Sequence, residues 1–365
     1  MKKIAALLPA LVFCQLLVSC DSGWPYKPVQ FIAPVPPPPK HGFISDSTLA
    51  KFCGTSNVTL LYTWFKQGVL TQTIYYVHLS DSDATPVRLK KPAGREGWNA
   101  SSPMPSPDGK LVTYYLFGLP GQCAAYIQKL DSTSDPIPIA EPGSDPHFFK
   151  DKDGKLSVTY ADTTDLVRNL KSITKRATYM KQVDTSSGQV IGSRQNIANN
   201  PFYGGLSKDG RYLCTGYADA FIYDRTDSAL YPIDSGLQTC NPSISTDSIL
   251  TDRMMFLSFA GIQNLKGYPT TSIGFHKVIF IVDKTNTVNY SFDVNAVLDA
   301  SKFEWQCPEW SNNPDYFAAL ASDAAGNYDI YLVKISTGKA LRINTDNFRV
   351  NGSATPYVFI AGGAS

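Results

Sequence analysis

Two carboxylates are the natural starting point for chemistry in this chain. Asp145 and Glu309 each flank a proline that opens a recurring phrase of the sequence. Acids brought together from distant segments can divide general acid and general base work between them. The alternative for each is a carboxylate that caps a turn. Trp98 and Trp305 offer flat faces for a sugar or a peptide, or equally for packing against a neighbouring sheet. Arg95 accompanies Trp98 in one long connection, Gln306 follows Trp305 in another, and Tyr268 lies in a third. Arg168, Lys171, Lys175 and Arg176 form a basic cluster in a fourth, a pattern that a solvated loop also produces.

Several other chemistries are missing. No Gly-x-Ser-x-Gly elbow is present to carry a hydrolase nucleophile. Four histidines in the whole chain argue against a His-rich metal site. Asp151-Lys152-Asp153-Gly154 lacks the further ligands and closing Glu of a calcium loop and reads as a turn. Ser106-Pro107-Asp108-Gly109 has the wrong spacing for a sialidase-type Asp box. No metal and no cofactor are therefore expected. At 43% apolar and 18% charged, the chain carries enough apolar material for a large core, which excludes disorder. Once Lys2 and Lys3 are set aside with a leader, 31 basic residues face 31 acidic ones, a balance that does not favour nucleic acid.

That leader is the first organised feature. Lys2 and Lys3 precede an apolar run from Ile4 to Val18, short for a membrane span and normal for a signal-peptide core. It ends in Leu17-Val18-Ser19-Cys20, which resembles the bacterial lipobox. That resemblance implies acylation of Cys20, a signal peptide over residues 1–19, and a protein tethered to a membrane of the cell envelope. Asp21 resembles the inner-membrane retention signal of enteric bacteria, a rule that does not extend to all bacteria, so the membrane stays open. Residues 20–42 are proline-rich, with Pro36 to Pro39 in a run. Polyproline II geometry would make them a spacer of about 60 Å.

Residues 43–365 repeat. The phrase is a proline, a one-residue gap, an apolar residue, a polar turn and a β run. It stands at Pro103-Met104-Pro105-Ser106, Pro146-His147-Phe148-Phe149, Gly204-Gly205-Leu206-Ser207, Pro242-Ser243-Ile244-Ser245 and Pro308-Glu309-Trp310-Ser311. Aromatic–aliphatic strands such as Tyr126–Asp131 and Val278–Asp283 trail each copy. The interval is about fifty residues, the period of a four-stranded propeller blade. A first unit (58–64, 73–79, 86–90) lacks the opening phrase, which reappears at Pro356-Tyr357-Val358. The C-terminal segment is therefore predicted to supply the innermost strand of blade 1 and close a six-bladed, all-β ring.

These phrases resemble the TolB-like six-bladed β-propellers, whose repeats read Pro-x-Trp-Ser-Pro-Asp-Gly-Lys. The resemblance covers residues 43 to 360, best at Pro103–Lys110 and Pro308–Ser311. Blades five and six depart from it: Asp247 stands without a glycine, and Asn312-Asn313-Pro314-Asp315 replaces the usual turn. The chain leaves no room for the N-terminal α/β domain of TolB, so the Tol–Pal partnership is not expected to transfer.

Within such a ring the A–B and C–D turns share one face, and the B–C and D–A connections share the other. The tight Asp-Gly turns fall on the first face and the long connections on the second. The expected binding surface is that long-loop face and the channel mouth. The expected function is non-catalytic binding of an envelope protein or glycan by a monomer, with a glycosidase or lyase as the alternative. Cys53, Cys123, Cys214, Cys240 and Cys307 follow the anchor. Cys240 and Cys307 precede opening prolines of adjacent blades and are the candidate disulfide, unless the thiols stay single and buried.

Overall fold

The computed structural model describes residues 42–361 except 45, 65–71, 81–83, 119–121, 163–176, 217–219, 234–239, 263, 299–301, 346–349 and 352–354. A short helix, α1 (Asp46–Cys53), precedes β1 (Val58–Trp64), β2 (Thr73–His78) and β3 (Val87–Arg88) of blade 1. Blade 2 is β4 (Asn99–Pro105), β5 (Leu111–Phe117), β6 (Cys123–Lys129) and β7 (Ile137–Ala140). Blade 3 is β8 (Ser144–Lys150), β9 (Leu156–Ala161), β10 (Thr178–Val183) and β11 (Val190–Ala198). Blade 4 holds β12 (Tyr212–Thr215), β13 (Ala220–Asp224) and β14 (Ala229–Ile233), and its inner strand is reduced to a single bridge, Leu206 to Leu213.

Blade 5 contains β15 (Cys240–Ile244) and β16 (Arg253–Leu257), then an excursion of β17 (Gly261–Ile262) paired with β18 (Ser272–Ile273). It is completed by β19 (Val278–Asp283) and β20 (Val288–Asp293). Blade 6 is β21 (Lys302–Trp310), β22 (Tyr316–Asp323), β23 (Asn327–Lys334) and β24 (Lys339–Arg342), with β25 (Val350–Asn351) added against β23. The last strand, β26 (Tyr357–Ile360), returns to blade 1 and pairs antiparallel with β1, Val58 opposite Ile360 and Leu61 opposite Tyr357. The ring has six blades and is closed as the repeat requires.

Burial falls from the second strand outward. β1, β9, β19 and β22 are buried on both faces, because each blade is sandwiched between two others. This is why they read as unbroken apolar runs. The outer strand β11 is largely exposed, and β24 is mostly half-buried. The closing seam between blades 6 and 1 gathers Leu60, Tyr62, Leu320, Ile330, Leu332 and Val358, with Leu49 of α1 sunk into its edge. No helix was anticipated there; Leu49 is the apolar residue that holds it. The chain arrives beside the outer strand of blade 6, where Ile44 N–H donates to Ile343 O and Thr345 N–H to Gly42 O.

The worn turns of the repeat have a structural reason. The serine of the opening phrase, Ser106 or Ser207, is buried and bonds the Asp of its own A–B turn. Blades 1 and 3 carry Phe359 and Phe149 at that place. Each ring lies on the turn glycine of the following blade, so a Cβ on Gly109 would come within 2.8 Å of Phe359 and one on Gly210 within 2.9 Å of Phe149. Both glycines have positive φ, 71° and 75°. Blades 5 and 6 follow blades with serine there, so their turns are free to lose the glycine.

The central channel as candidate functional site

In four of the opening phrases the residue before the proline adopts a left-handed backbone: Ser102 (φ 49°), Asp145 (46°), Asn241 (49°) and Cys307 (46°). Each coincides with a break in strand register, between Ser101 and Met104, Ser144 and His147, Cys240 and Ser243, and Gln306 and Glu309. These are β-bulges, which bend a strand and re-aim its side chains. Proline is tolerated because the inner edge of the innermost strand has no neighbour to receive an N–H. Left-handed φ in a non-glycine residue costs on the order of 1 kcal/mol or more, and strain of this kind gathers at functional sites.

The innermost segments, four of them bulged, arrange one residue per blade around a central cavity of about 630 Å³, a volume within the usual range for small-molecule sites. The gap position of every phrase lines it: Met104, His147, Gly205, Ser243, Glu309 and Tyr357. Its remaining walls come from the A–B turn side, with Asp108, Lys150, Asp151, Lys208, Thr246 and Asn312 at the rim. Rim bonds tie the blades together: Thr246 Oγ1 donates to Ser311 O at 2.9 Å and Asn312 Nδ2 to Ile360 O at 2.9 Å.

Glu309 is the electrostatic centre of this ring. Burial pushes its carboxyl up to about 8, helped by the charge of Asp145, against a hydrogen bond from Ser243 Oγ and one from the Trp310 N–H. Asp145 acts on it from blade 3, opposite blade 6 in the ring, although Asp145 itself is not among the residues lining the cavity. Burial first, and the Glu309 charge second, raise Tyr357 and Cys214 and push Cys307 up to about 12. His147 lies on the far wall, its Nε2 2.9 Å from the carbonyl oxygen of Tyr203. A carbonyl only accepts, so Nε2 carries the proton and Nδ1 keeps a lone pair. Burial brings this imidazole down to about 4, so it is neutral at physiological pH. It occupies the room that Gly205 leaves, where a Cβ would come within 2.8 Å of Nδ1.

The residues singled out in the sequence fare differently. Asp145 and Glu309 do converge. Trp305 is fully buried and donates Nε1–H to Phe292 O at 2.9 Å, so it packs between elements and cannot stack on a ligand. Trp98 is covered by the Arg95 guanidinium 3.9 Å above its ring and by Gly118, whose Cβ would fall 2.7 Å from it. Arg95 is itself engaged by Glu141 at 2.6 Å. Tyr268 packs edge-on against Phe280, and Gln306 donates to Glu304. Cys307 carries a free, buried thiol, so it is not joined to Cys240; each sits in its own inner strand and neither chain end draws them together. Arg168 and Cys20 lie outside the described residues. Among the described residues no three His, Cys, Asp or Glu side chains gather as metal ligands.

The expectation of a long-loop binding face passed over His147, Ser243, Met104 and Tyr357. Their common signal was the gap position itself, which varies freely inside an otherwise repeated phrase.

No family model and no curated protein matches this sequence. Among solved structures, TolB from Acinetobacter baumannii aligns with a TM-score of 0.55 and 13% identity, over 86% of this chain and 70% of that one. A prolyl endopeptidase gives 0.47 and 13% over 79% of this chain and 48% of its own. The periplasmic gluconolactonase PpgL of Pseudomonas aeruginosa gives 0.46 and 12%, over 80% and 83%. What the first alignment establishes is architecture: the chain has the six-bladed propeller fold that TolB carries.

Proposed function

We propose that this protein is a non-catalytic receptor of the bacterial cell envelope, lipid-anchored through Cys20, that takes part of a protein or glycan partner into its central channel. The carrying observation is the channel-lining ring: the gap residue of each of the six opening phrases, a different residue type in every blade, borders one cavity. The cavity lining runs out to the A–B turns, so in this reading the partner enters from that side. Ile249, 85% exposed on the A–B turn of blade 5, adds an apolar contact beside that mouth. Among the described residues no helix is long and apolar enough to cross a membrane, and the lipobox-like Leu17–Cys20 supplies the anchor in this reading.

The test uses the full chain in detergent, with envelope extracts as the source of partner. Met104→Trp, which fills the channel from its wall, should abolish capture, whereas Ile191→Ser on the outer rim of blade 3 should not. Capture unaffected by Met104→Trp defeats the channel as the site. Cys20→Ala should remove acyl labelling and membrane association together.

A second reading is favoured by one specific observation: burial and the charge of Asp145 hold Glu309 protonated at neutral pH. A protonated acid opposite a carboxylate is the arrangement of glycoside hydrolysis. Polysaccharide turnover lost in both Glu309→Gln and Asp145→Asn would establish it, and absence of turnover across a broad polysaccharide panel would dismiss it.

A further inference from the structure

The chemistry of the channel wall restricts what can sit in it. The ring position holds no lysine or arginine; the cavity's lysines, Lys150 and Lys208, belong to the turn rim. What points inward is acceptor or π surface. Glu309 offers carboxyl oxygens, and Ser243, its hydroxyl neighbour, already spends its proton on that carboxyl. His147 keeps a lone pair on Nδ1, beside Gly205, because its one proton is committed to Tyr203 O. The Tyr357 ring and the Phe149 and Phe359 rings line the same space. Acceptors surrounded by aromatic faces suit a hydrogen-bond-donating cation.

We propose that the channel binds the ammonium or guanidinium end of a ligand, seated between Glu309 and His147. This rests on the channel being the binding site, and it favours a basic side chain or a free amine over a neutral glycan. The cation restores the negative charge on Glu309 that burial suppresses in the empty ring, so binding expels one proton. The groups facing Glu309 do not titrate in the same range. Tyr357, Cys214 and Cys307 are all held higher, and His147 is held lower. Asp145 of blade 3 adds its charge to the field at Glu309.

Titration calorimetry on the full chain in detergent tests this with cadaverine, with a doubly blocked Gly-Lys-Gly peptide, and with the same peptide carrying norleucine. Affinity for the two amines should rise about tenfold from pH 7 to pH 9, as the fraction of ionised Glu309 rises from about a tenth to about nine tenths. Heats measured in phosphate and in Tris should differ by the ionisation heat of the expelled proton. Glu309→Gln should weaken amine binding at least tenfold and flatten its pH dependence without losing cooperative unfolding. Cadaverine binding alone identifies a free amine as the natural class, and lysine-peptide binding identifies a protein side chain; either supports the proposal. Norleucine and lysine peptides binding alike, with no proton release, overturns the cation but leaves the channel as a site. Amines that bind undiminished to the Met104→Trp variant overturn both.

Discussion

The innermost strand of each blade and the strand just outside it answer to different forces. The second strands β5, β9, β16 and β22 are clasped between blades, and any well-fitting apolar sequence serves there. The first strands have one free edge and a bulge, and they hold a fixed frame around one free choice. Leu116, Val158 and Leu320 are interchangeable in kind; Met104, His147, Ser243 and Glu309 are not. Packing chooses the residues of the second strand. In the first strand it chooses only the frame, which leaves the exposed position open to function.

This contrast can be broken experimentally. The largest effect should come at the closure, where Val358→Asp puts an uncompensated charge into the buried seam between blades 6 and 1. It should remove about 4 kcal/mol or more of stability in urea unfolding. A milder loss would mean the ring does not depend on β26. Next, Phe317→Ala in β22 should lose roughly 3–5 kcal/mol, whereas Met104→Ala should lose only about 2, since its buried side chain borders the cavity on one side. Equal losses would erase the distinction between the two strand classes.

Smaller again is the glycine test. Gly338 has positive φ with open space around it, and alanine there should cost about 1 kcal/mol. Gly210→Ala should cost about 2–3, because Phe149 lies in the way. A double-mutant cycle with Phe149→Ser should return about 1 kcal/mol of coupling. A different axis of the same contrast is a pH profile. Glu309 is held above its unfolded value, so the wild type loses stability as pH rises from about 4.5 towards 8. Glu309→Gln removes that loss: its advantage over wild type should be absent at pH 4, grow through neutrality and level off above pH 8. His147 bends the profile the other way. Its folded value lies below the unfolded one, so stability falls as pH drops from about 6.5 to 4.

How much of this was legible varies by residue. The repeat, the six blades and the return of Tyr357–Ile360 to blade 1 were all open to reading, because blade spacing and turn chemistry are local. The acid pair was legible as two residues beside prolines. The tryptophans misled, since an indole in a long connection looks the same whether it faces water or, like Trp305, a carbonyl of the preceding strand. The importance of His147 was hidden because its partner, Tyr203, and the space it fills, Gly205, belong to the next blade.

Repeat period, turn residues and apolar runs act within a blade, so the linear chain already specified repeated four-stranded units and a first blade shared by an early and a late strand. Which residues meet was settled only by the closed ring. Six copies of one position line the cavity, four of them beside bulges that no single repeat reveals, and the channel's chemistry exists only where residues of different blades come together. Burial shared among six strands, rather than any local motif, makes Glu309 protonated and His147 neutral.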